Sequence, residues 1–522
     1  MESKIGLNEA QRALENSNDL CRAVRELYDR NKSSSRIAQL ADHFKILTEH
    51  CDKFQALTAQ PENFPTINVI EEMMVDLRRS LNEVDLKALI AEMANLGAEP
   101  SIIIDKKKEY RQQGVILRNL SRYKTSIMSL IGRIPYERMA LKPASPEDKA
   151  RLAALGIKGY IFPLDEALGV NRLPFKVTIR AMLEIAKEST RCESYEEAQK
   201  NLQERTNIVI NDDTMRKITN TIGKIVFDND VKKSAEIWQK LSSRTLVLPE
   251  SIKNNIFYLE IDGAMIPIRE KDKTGSSYRE NKLAEVFSTD NFTYWTDKHG
   301  KNQHNIDKRE YLAFIGDYNE FKKLVFSLAI RNGYGLYNQN VLISDGSTWI
   351  RNLKNELFPD AQQILDYYHL TEHINDYAKE IFDCDESQYK PWGKKISSLF
   401  YESKTSFAIE HIKQSLKFRH RNKLDKLLQY IHNNDENIDY ASYRAKNYFI
   451  GSGAIESSNW TVLQRRMKYG AMRWNIDSAQ SIVTLVAKAR SGLWEKDVVS
   501  AVLSHYGESQ SSEQKSLKHS VF

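Results

Sequence analysis

Two aspartates share a local setting. Asp262 lies in Glu260-Ile261-Asp262-Gly263-Ala264 and Asp345 in Ile343-Ser344-Asp345-Gly346-Ser347, each at the end of an apolar, strand-like run and each followed by glycine. At the carboxyl edge of an open α/β sheet an acid faces the crevice where ligands bind, and the glycine lets a substrate or a second backbone come close. If the two strands are neighbours, a spacing of roughly 4.8 Å holds the carboxylates about as far apart as two bridged divalent ions require. That arrangement suits phosphodiester chemistry. Taken singly, each Asp-Gly is also an ordinary turn signal. A third acid, Glu456, follows Gly451-Ser452-Gly453 at the start of a helical stretch. Its side chain is fixed in a first turn, where an acid also simply complements the helix dipole.

The elements that must carry these acids read as an α/β domain between 256 and 370. Strands are expected at Ile256–Ile261, Lys282–Phe287, Tyr311–Ile315, Val341–Ser344 and Ala361–Leu365, with an amphipathic helix over Asp317–Asn332 and a short one from Ser347. Upstream, residues 1–124 are read as a helical N-terminal region, with Ile70, Met73, Met74, Leu77 and Leu81 at helical spacing. Two short apolar runs about Gly132 predict a β-hairpin over 125–142, and KPASPEDK a linker or helix start.

Three helical segments follow within a 125–245 module, the second opening on Ser194-Tyr195-Glu196-Glu197, a capping box. The third, from Asp212, presents Thr214, Arg216, Lys217, Asn220 and Lys224, residue types that meet phosphates and base edges when a recognition helix enters a major groove. The same residues equally suit a plain helical bundle with a solvated basic face.

Bulk composition narrows the class. With 522 residues, 41% hydrophobic, 28% charged and few Gly and Pro, the chain is expected to be multi-domain, helix-leaning and globular. The formal net charge of +6 permits nucleic acid without demanding it. Cys21, Cys51, Cys192 and Cys384 never approach C-x-x-C spacing and read as reduced thiols. The start is polar and helical rather than signal-like, and no apolar run approaches the roughly 18 residues of a membrane span, so a cytoplasmic protein with no membrane partner is expected. The tail, 506–522, reads as disordered.

The set LEIDGAMIPI, LISDGSTWIRN, ILDYYHL and GSGAIESSNWTVLQRRMKYGAMRW resembles a bacterial insertion-sequence transposase of the Mutator-like branch of the DDE superfamily, over about residues 160 to 495. The resemblance implies an α/β RNase H-like core in two parts, 250–370 and 447–505, an all-helical insertion at 371–446 and a mainly helical N-terminal DNA-binding region. It implies two Mg²⁺ or Mn²⁺ ions, with Asp262 bridging both and Asp345 and Glu456 each holding one. It also singles out Asp366 and His369 as the D-x-x-H of such enzymes, with Asp366 orienting the imidazole, although in isolation the pair is an ordinary capped helix start. Phe162-Pro163-Leu164-Asp165-Glu166 resembles part of the family's end-binding region. The chain lacks the cysteine pair that some relatives carry before that motif, so no zinc module is expected. Lys417, Arg419 and Arg421 in the insertion, and Arg465, Arg466, Lys468 and Arg473 after Glu456, are candidate phosphate contacts; a solvated face is the alternative for the insertion. Trp349 either packs in the core or stacks on a base. The partners implied are double-stranded DNA, as terminal inverted repeats and target, and further copies of the chain in a dimer or larger oligomer. The rival readings are an RNase H-like nuclease that cuts without joining, and a domesticated DNA-binding descendant.

Overall fold

The computed structural model describes residues 98–506 apart from 131, 168, 207, 249–252, 272–274, 301 and 416–420, with scattered helical positions between 42 and 81. Most of residues 1–97 of the helical region expected at 1–124, Cys21, Cys51, Lys417, Arg419 and nearly all of the expected disordered tail lie outside the described residues. The chain divides into two compact units, one comprising 1–188 with 196–215 and the other 189–195 with 216–522.

In the first unit, helix α1 (Ala98–Gln112) precedes a long hairpin of β1 (Leu117–Ser129) and β2 (Gly132–Pro143), then α2 (Pro146–Ala154), α3 (Pro163–Ala167), α4 (Ile179–Arg191) and α5 (Tyr195–Arg205). The hairpin starts earlier than its apolar signal and crosses the boundary expected at 124. Residues 118–125 are mostly solvent-facing and paired with β2, so they carry no apolar alternation. At its turn Gly132 takes φ 109°, which disfavours any side chain. The expected helix start at KPASPEDK is α2, with Ser145 capping the Asp148 N–H. Phe162-Pro163-Leu164-Asp165 serves as a structural tie: Tyr136 donates to Asp165 at 2.7 Å, Arg138 pairs with the same carboxylate, and its guanidinium lies 3.6 Å over the Phe162 ring. Helix α5 begins at Tyr195, which puts Ser194 where the capping box requires.

The 31-residue helix α6 (Asp212–Ser242) belongs mainly to the second unit. The unit is mixed α/β. Its elements are β3 (Lys253–Pro267), β4 (Tyr278–Ser288), β5 (Phe292–Thr296), β6 (Asn302–Ile306), β7 (Glu310–Phe314), α7 (Tyr318–Arg331), β8 (Tyr337–Ser344), α8 (Thr348–Leu357) and β9 (Gln362–Leu365). Helices α9 (Tyr367–Ile381), α10 (Glu386–Tyr401), α11 (Thr405–Gln414), α12 (Arg421–Asn433) and α13 (Tyr440–Ala445) follow, matching the all-helical stretch expected at 371–446. The chain then forms α14 (Gly453–Ser458), a π turn (Asn459–Gln464), α15 (Arg465–Met467), α16 (Ile476–Arg490), a second π turn (Trp494–Val499) and α17 (Ser500–His505).

Five strands pair in the order β7-β4-β3-β8-β9, with β3 antiparallel to β4 and parallel to β8. The five expected strands are these five, but β3 is longer than its signal and runs on to Pro267 against β4. Asp262 therefore sits within a strand. Only the parallel pairing with β8 stops there, at Ile261 opposite Ser344. The β5–β6 hairpin was not legible, because both faces of β5 beyond Phe292 are solvent-exposed.

Side chains alternate across the sheet with period two. Phe257, Leu259, Ile261 and Leu342 point to one face and pack with α7 and α8, where Trp349 meets Tyr318 and Phe321 edge-on and so serves as packing. On the other face lie two apolar clusters. One holds Ile256, Tyr258, Phe287, Val341 and Ile343 beneath α9 to α13, and the other holds Ala264, Ile266 and Leu283 beneath α14 to α16. Glu260, Asp262 and Glu285 occupy the gap between the two clusters, on the same face by parity.

The long helices are fastened by a buried charge cluster. Lys488 of α16, 3% exposed, contacts Asp230 of α6 at 3.0 Å and Asp497 at 2.7 Å. Lys488→Met keeps the volume but takes the cation from Asp230 and leaves Asp497 with Lys233 at 3.8 Å, and is expected to cost about 3 kcal/mol in urea unfolding. An unchanged midpoint would show that the cluster is dispensable.

Candidate active site

Asp262, Asp345, Asp366, His369 and Glu456, drawn from four separate stretches of chain, border one cavity of about 360 Å³, together with Glu372, Ser452, Asn459 and Gln464. Residue parity explains the meeting. Asp262 on β3 and Asp345 just past β8 both continue the face that carries Tyr258 and Ile343. Glu456 comes over that face on the first turn of α14.

Each acid is held by its own neighbours. Asp262 accepts the Gly263 N–H at 2.7 Å through Oδ1 and the Asn459 side-chain amide through Oδ2. Burial and then the Asp345 charge push its carboxyl up. Asp345 Oδ1 accepts the Ser347 N–H at 2.8 Å, and its carbonyl accepts the Tyr430 hydroxyl at 2.8 Å. Gly346 has φ 81°, and a Cβ there would come within 2.7 Å of Asn434 and Leu365, so the glycine after Asp345 is demanded by backbone and packing alike. Glu456 is exposed, and loss of hydration followed by the charges of Asp366, Glu372 and Asp262 raises its carboxyl.

Asp366 and His369 line the cavity but are not coupled as expected. The buried Asp366 carboxylate caps α9, accepting the Tyr368 N–H at 2.9 Å, and its second oxygen takes the Ser452 hydroxyl. His369 instead has Nδ1 3.7 Å from Glu372 and its ring centroid 4.9 Å from that of His373. Asp366 thus joins the start of α9 to the segment leading into α14.

Three polar contacts seat α14 and its π turn on the sheet. Fully buried Glu260 accepts the Ile455 N–H at 3.0 Å, fully buried Glu285 accepts the Ser458 hydroxyl, and Asp262 accepts from Asn459. Glu260 and Glu285 are directly opposed across β3 and β4. Their Oε1 atoms are buried without a hydrogen-bond partner, an arrangement that disfavours charge on both carboxyls at once. Burial raises both, Glu260 well above the usual range and Glu285 to about 7. The sequence reading missed Glu260, Glu285, Ser452 and Asn459. Only Asn459 carried a signal, three residues beyond Glu456 on the same helix face.

The DNA-contact candidates scatter. Arg466 is buried: it donates to the Ser189 and Glu193 carbonyls and lies over the Tyr195 and Trp474 rings, so it is structural. Arg465 pairs with Glu193 at 3.1 Å, while Lys468 and Arg473 are exposed. On α6, Asn220 donates to Ser478 at 2.8 Å and Lys224 pairs with Asp228 at 2.9 Å. Gly223 comes so close to Ser481 that a Cβ would lie 2.4 Å from its carbonyl oxygen. The Asn220 side of α6 is therefore packed against α16 rather than left open as a recognition face. Thr214 and Arg216 are half-buried, and Lys217 and Arg421 are exposed.

Among the described residues, no three His, Cys, Asp or Glu side chains are already gathered as a metal cage. The donor types nevertheless suit a hard divalent cation: the cavity wall offers carboxylate oxygens, those of Asp262 and Glu456 raised by burial and by neighbouring acids, and the Asn459 Oδ1 beside Asp262 is buried without a partner. Cys192 is buried and Cys384 is an exposed thiol, and no helix among the described residues is long and apolar enough to cross a membrane. No family model matches the chain, and neither does any curated protein.

Two outcomes follow from this wiring. Folding raises the Asp262 pKa, so the folded chain binds more protons than the unfolded chain; the associated stability is present at acid pH and lost as pH rises through the folded value. In chelator at neutral pH, Asp262→Asn is therefore expected to raise the urea midpoint, and a lowered midpoint would show that the buried charge is not a cost to the fold. Glu285→Leu should speed amide exchange across 453–458. Glu285→Gln should not, because its amide still accepts from Ser458 and donates to Glu260; equal exchange in both variants would show that the contact does not hold α14.

Proposed function

We propose that the chain is a transposase of the DDE type, which binds the ends of an insertion sequence and cuts and joins DNA in a cytoplasm open to the chromosome. The observation that carries the reading is the convergence of Asp262, Asp345 and Glu456, up to 194 positions apart in sequence, on one cavity over one sheet face. The strand order β7-β4-β3-β8-β9, third-second-first-fourth-fifth among the sheet strands, supports reading the sheet as an RNase H-like core. The helical stretch between β9 and α14 supports the same reading, as an insertion ahead of the catalytic glutamate.

Two Mg²⁺ or Mn²⁺ ions, when bound by Asp262, Asp345 and Glu456, supply the charge that activates an attacking oxygen and stabilises a leaving one. The chain's own part is positioning. Gly263 and Asn459 fix the Asp262 carboxylate, and Ser347 fixes Asp345, so these donors stand ready before substrate arrives. Glu456 keeps an exposed side chain on an anchored helix turn, free to swing toward the aspartates while its backbone stays in place. His369, partly exposed on the cavity wall beside Glu372, is placed to meet a phosphate or carry a proton. Lys217, Lys468, Arg473 and Arg421 are exposed cations that would meet the backbone of duplex DNA, both element ends and target. Paired ends call for two or more copies of the chain.

Asp262→Asn, Asp345→Asn and Glu456→Gln should each reduce Mg²⁺-dependent nicking of element-end duplexes by more than the ~10- to 100-fold expected from losing a group behind a metal ligand. DNA binding should be retained. End-labelled duplexes report cutting and joined products separately: cutting without joining identifies a nuclease, and full activity in any one variant removes that residue from the site.

A further inference from the structure

Strand β8 ends at Ser344, so Asp345 stands one residue beyond the sheet, on the loop that leads into α8. Ser344 itself is anchored, its carbonyl accepting the Asp366 N–H at 2.9 Å. Past that point strand pairing no longer fixes the backbone, and a carboxylate that must meet a cation at a set distance needs support from elsewhere. Its own hydrogen bond does not supply it: Asp345 Oδ1 accepts the Ser347 N–H, which belongs to the same loop and moves with it.

The support comes from the helical stretch. Near the end of α12, Tyr430 donates its hydroxyl to the Asp345 carbonyl at 2.8 Å, across 85 positions of sequence. One turn on, the buried Asn434 gives its amide to the Tyr430 carbonyl at 2.9 Å, and its oxygen accepts from Arg351 at 3.0 Å. Arg351 lies on α8, the helix that the Asp345 loop opens. The contacts thus close a ring that runs from Asp345 through its loop and α8 to Arg351, then through Asn434 and Tyr430 back to Asp345. Gly346 is pressed against the same ring, since a Cβ there would lie 2.7 Å from Asn434 Oδ1. Linked bonds of this kind resist displacement of any one member more than an isolated bond does.

Tyr430 is itself held in place. It packs against the apolar cluster beneath α9 to α13, its ring centroid lies 4.3 Å from that of His373, and His373 in turn meets His369 on the wall of the acidic cavity. Burial, and then the charges of Asp345 and Asp366, push the phenol up, so the hydroxyl keeps its proton and remains a donor. A phenylalanine would pack in the same space. The bond to Asp345 is what calls for a hydroxyl.

We propose that Tyr430 is a positioning residue for Asp345: through its hydroxyl, braced by Asn434, it presets the Asp345 carboxylate for a divalent cation. The helical stretch between β9 and α14 thereby completes the acidic site. The proposal rests on the reading of Asp345 as a metal ligand and extends it to a residue that touches no metal.

The test uses the full chain and Mn²⁺ alone, with the free ion counted by its electron paramagnetic resonance, so that neither DNA nor turnover is needed. Wild type is compared with Tyr430→Phe, Tyr443→Phe and Asp345→Asn. Tyr443 is the control because it also lies in the helical stretch and also donates to a backbone carbonyl, that of Glu436 at 3.1 Å. Tyr430→Phe should weaken Mn²⁺ binding roughly 10-fold, the lower end of the cost of losing an outer partner of a ligand, and should speed amide exchange at 346–348. Tyr443→Phe should change neither. Unchanged Mn²⁺ affinity or unchanged exchange in Tyr430→Phe, or an equal loss of affinity in both phenylalanine variants, overturns the proposal. In that event weaker binding by Asp345→Asn still upholds the metal reading. Wild type that binds Mn²⁺ no more tightly than Asp345→Asn removes Asp345 as a ligand, and the proposal with it.

Discussion

A folded chain tolerates several carboxylates on one face of a buried sheet only if something satisfies each of them. Here Glu260, Asp262 and Glu285 lie between two apolar clusters, and each carries a contact to the helix that crosses above. The cost of burying a carboxylate is offset by helix-side donors: one backbone N–H, one hydroxyl and one carboxamide. The contacts that make the polar gap tolerable thereby fix the position of Glu456. Remove the gap and α14 has no reason to sit where it does.

This arrangement separates two kinds of acid. Glu260 and Glu285 are fully buried, paired with each other and turned to the helix, and they serve structure. Asp262, Asp345 and Glu456 reach the cavity and repel one another or their neighbours, which leaves negative charge available to a cation. The π turn at Asn459–Gln464 belongs to the same design. Widening the helix by one residue per turn changes which side chains face the sheet, and Asn459, at the start of that turn, meets Asp262. Asp366, as cap of α9 and acceptor for Ser452, ties the helical stretch to the approach of α14.

Strand alternation, the cap of α7 at Asp317 and the glycines after both aspartates were all legible, because each is a local property that neighbouring residues report. The convergence of the three acids was legible only as a condition, that two strands be neighbours and one helix return to them. What escaped notice were groups whose roles depend on a distant partner. Arg466 reads as a surface cation beside Arg465, yet it is buried among Tyr195, Trp474 and backbone carbonyls. Asn220 reads as a base-edge contact, yet it faces Ser478. The β5–β6 hairpin has no buried face to print an alternation into its sequence.

By itself, then, the sequence determined which five stretches form the strands of the main sheet, which residues could ligate a hard cation, and that glycine must follow Asp345. Tertiary structure alone decided which carboxylates are structural and which are open, and which basic residues are buried. The physical reason is that residue type and periodicity record local backbone and solvent preferences. The burial and charge state of a side chain depend on groups brought close only when the sheet, the helical stretch and α14 close over one another.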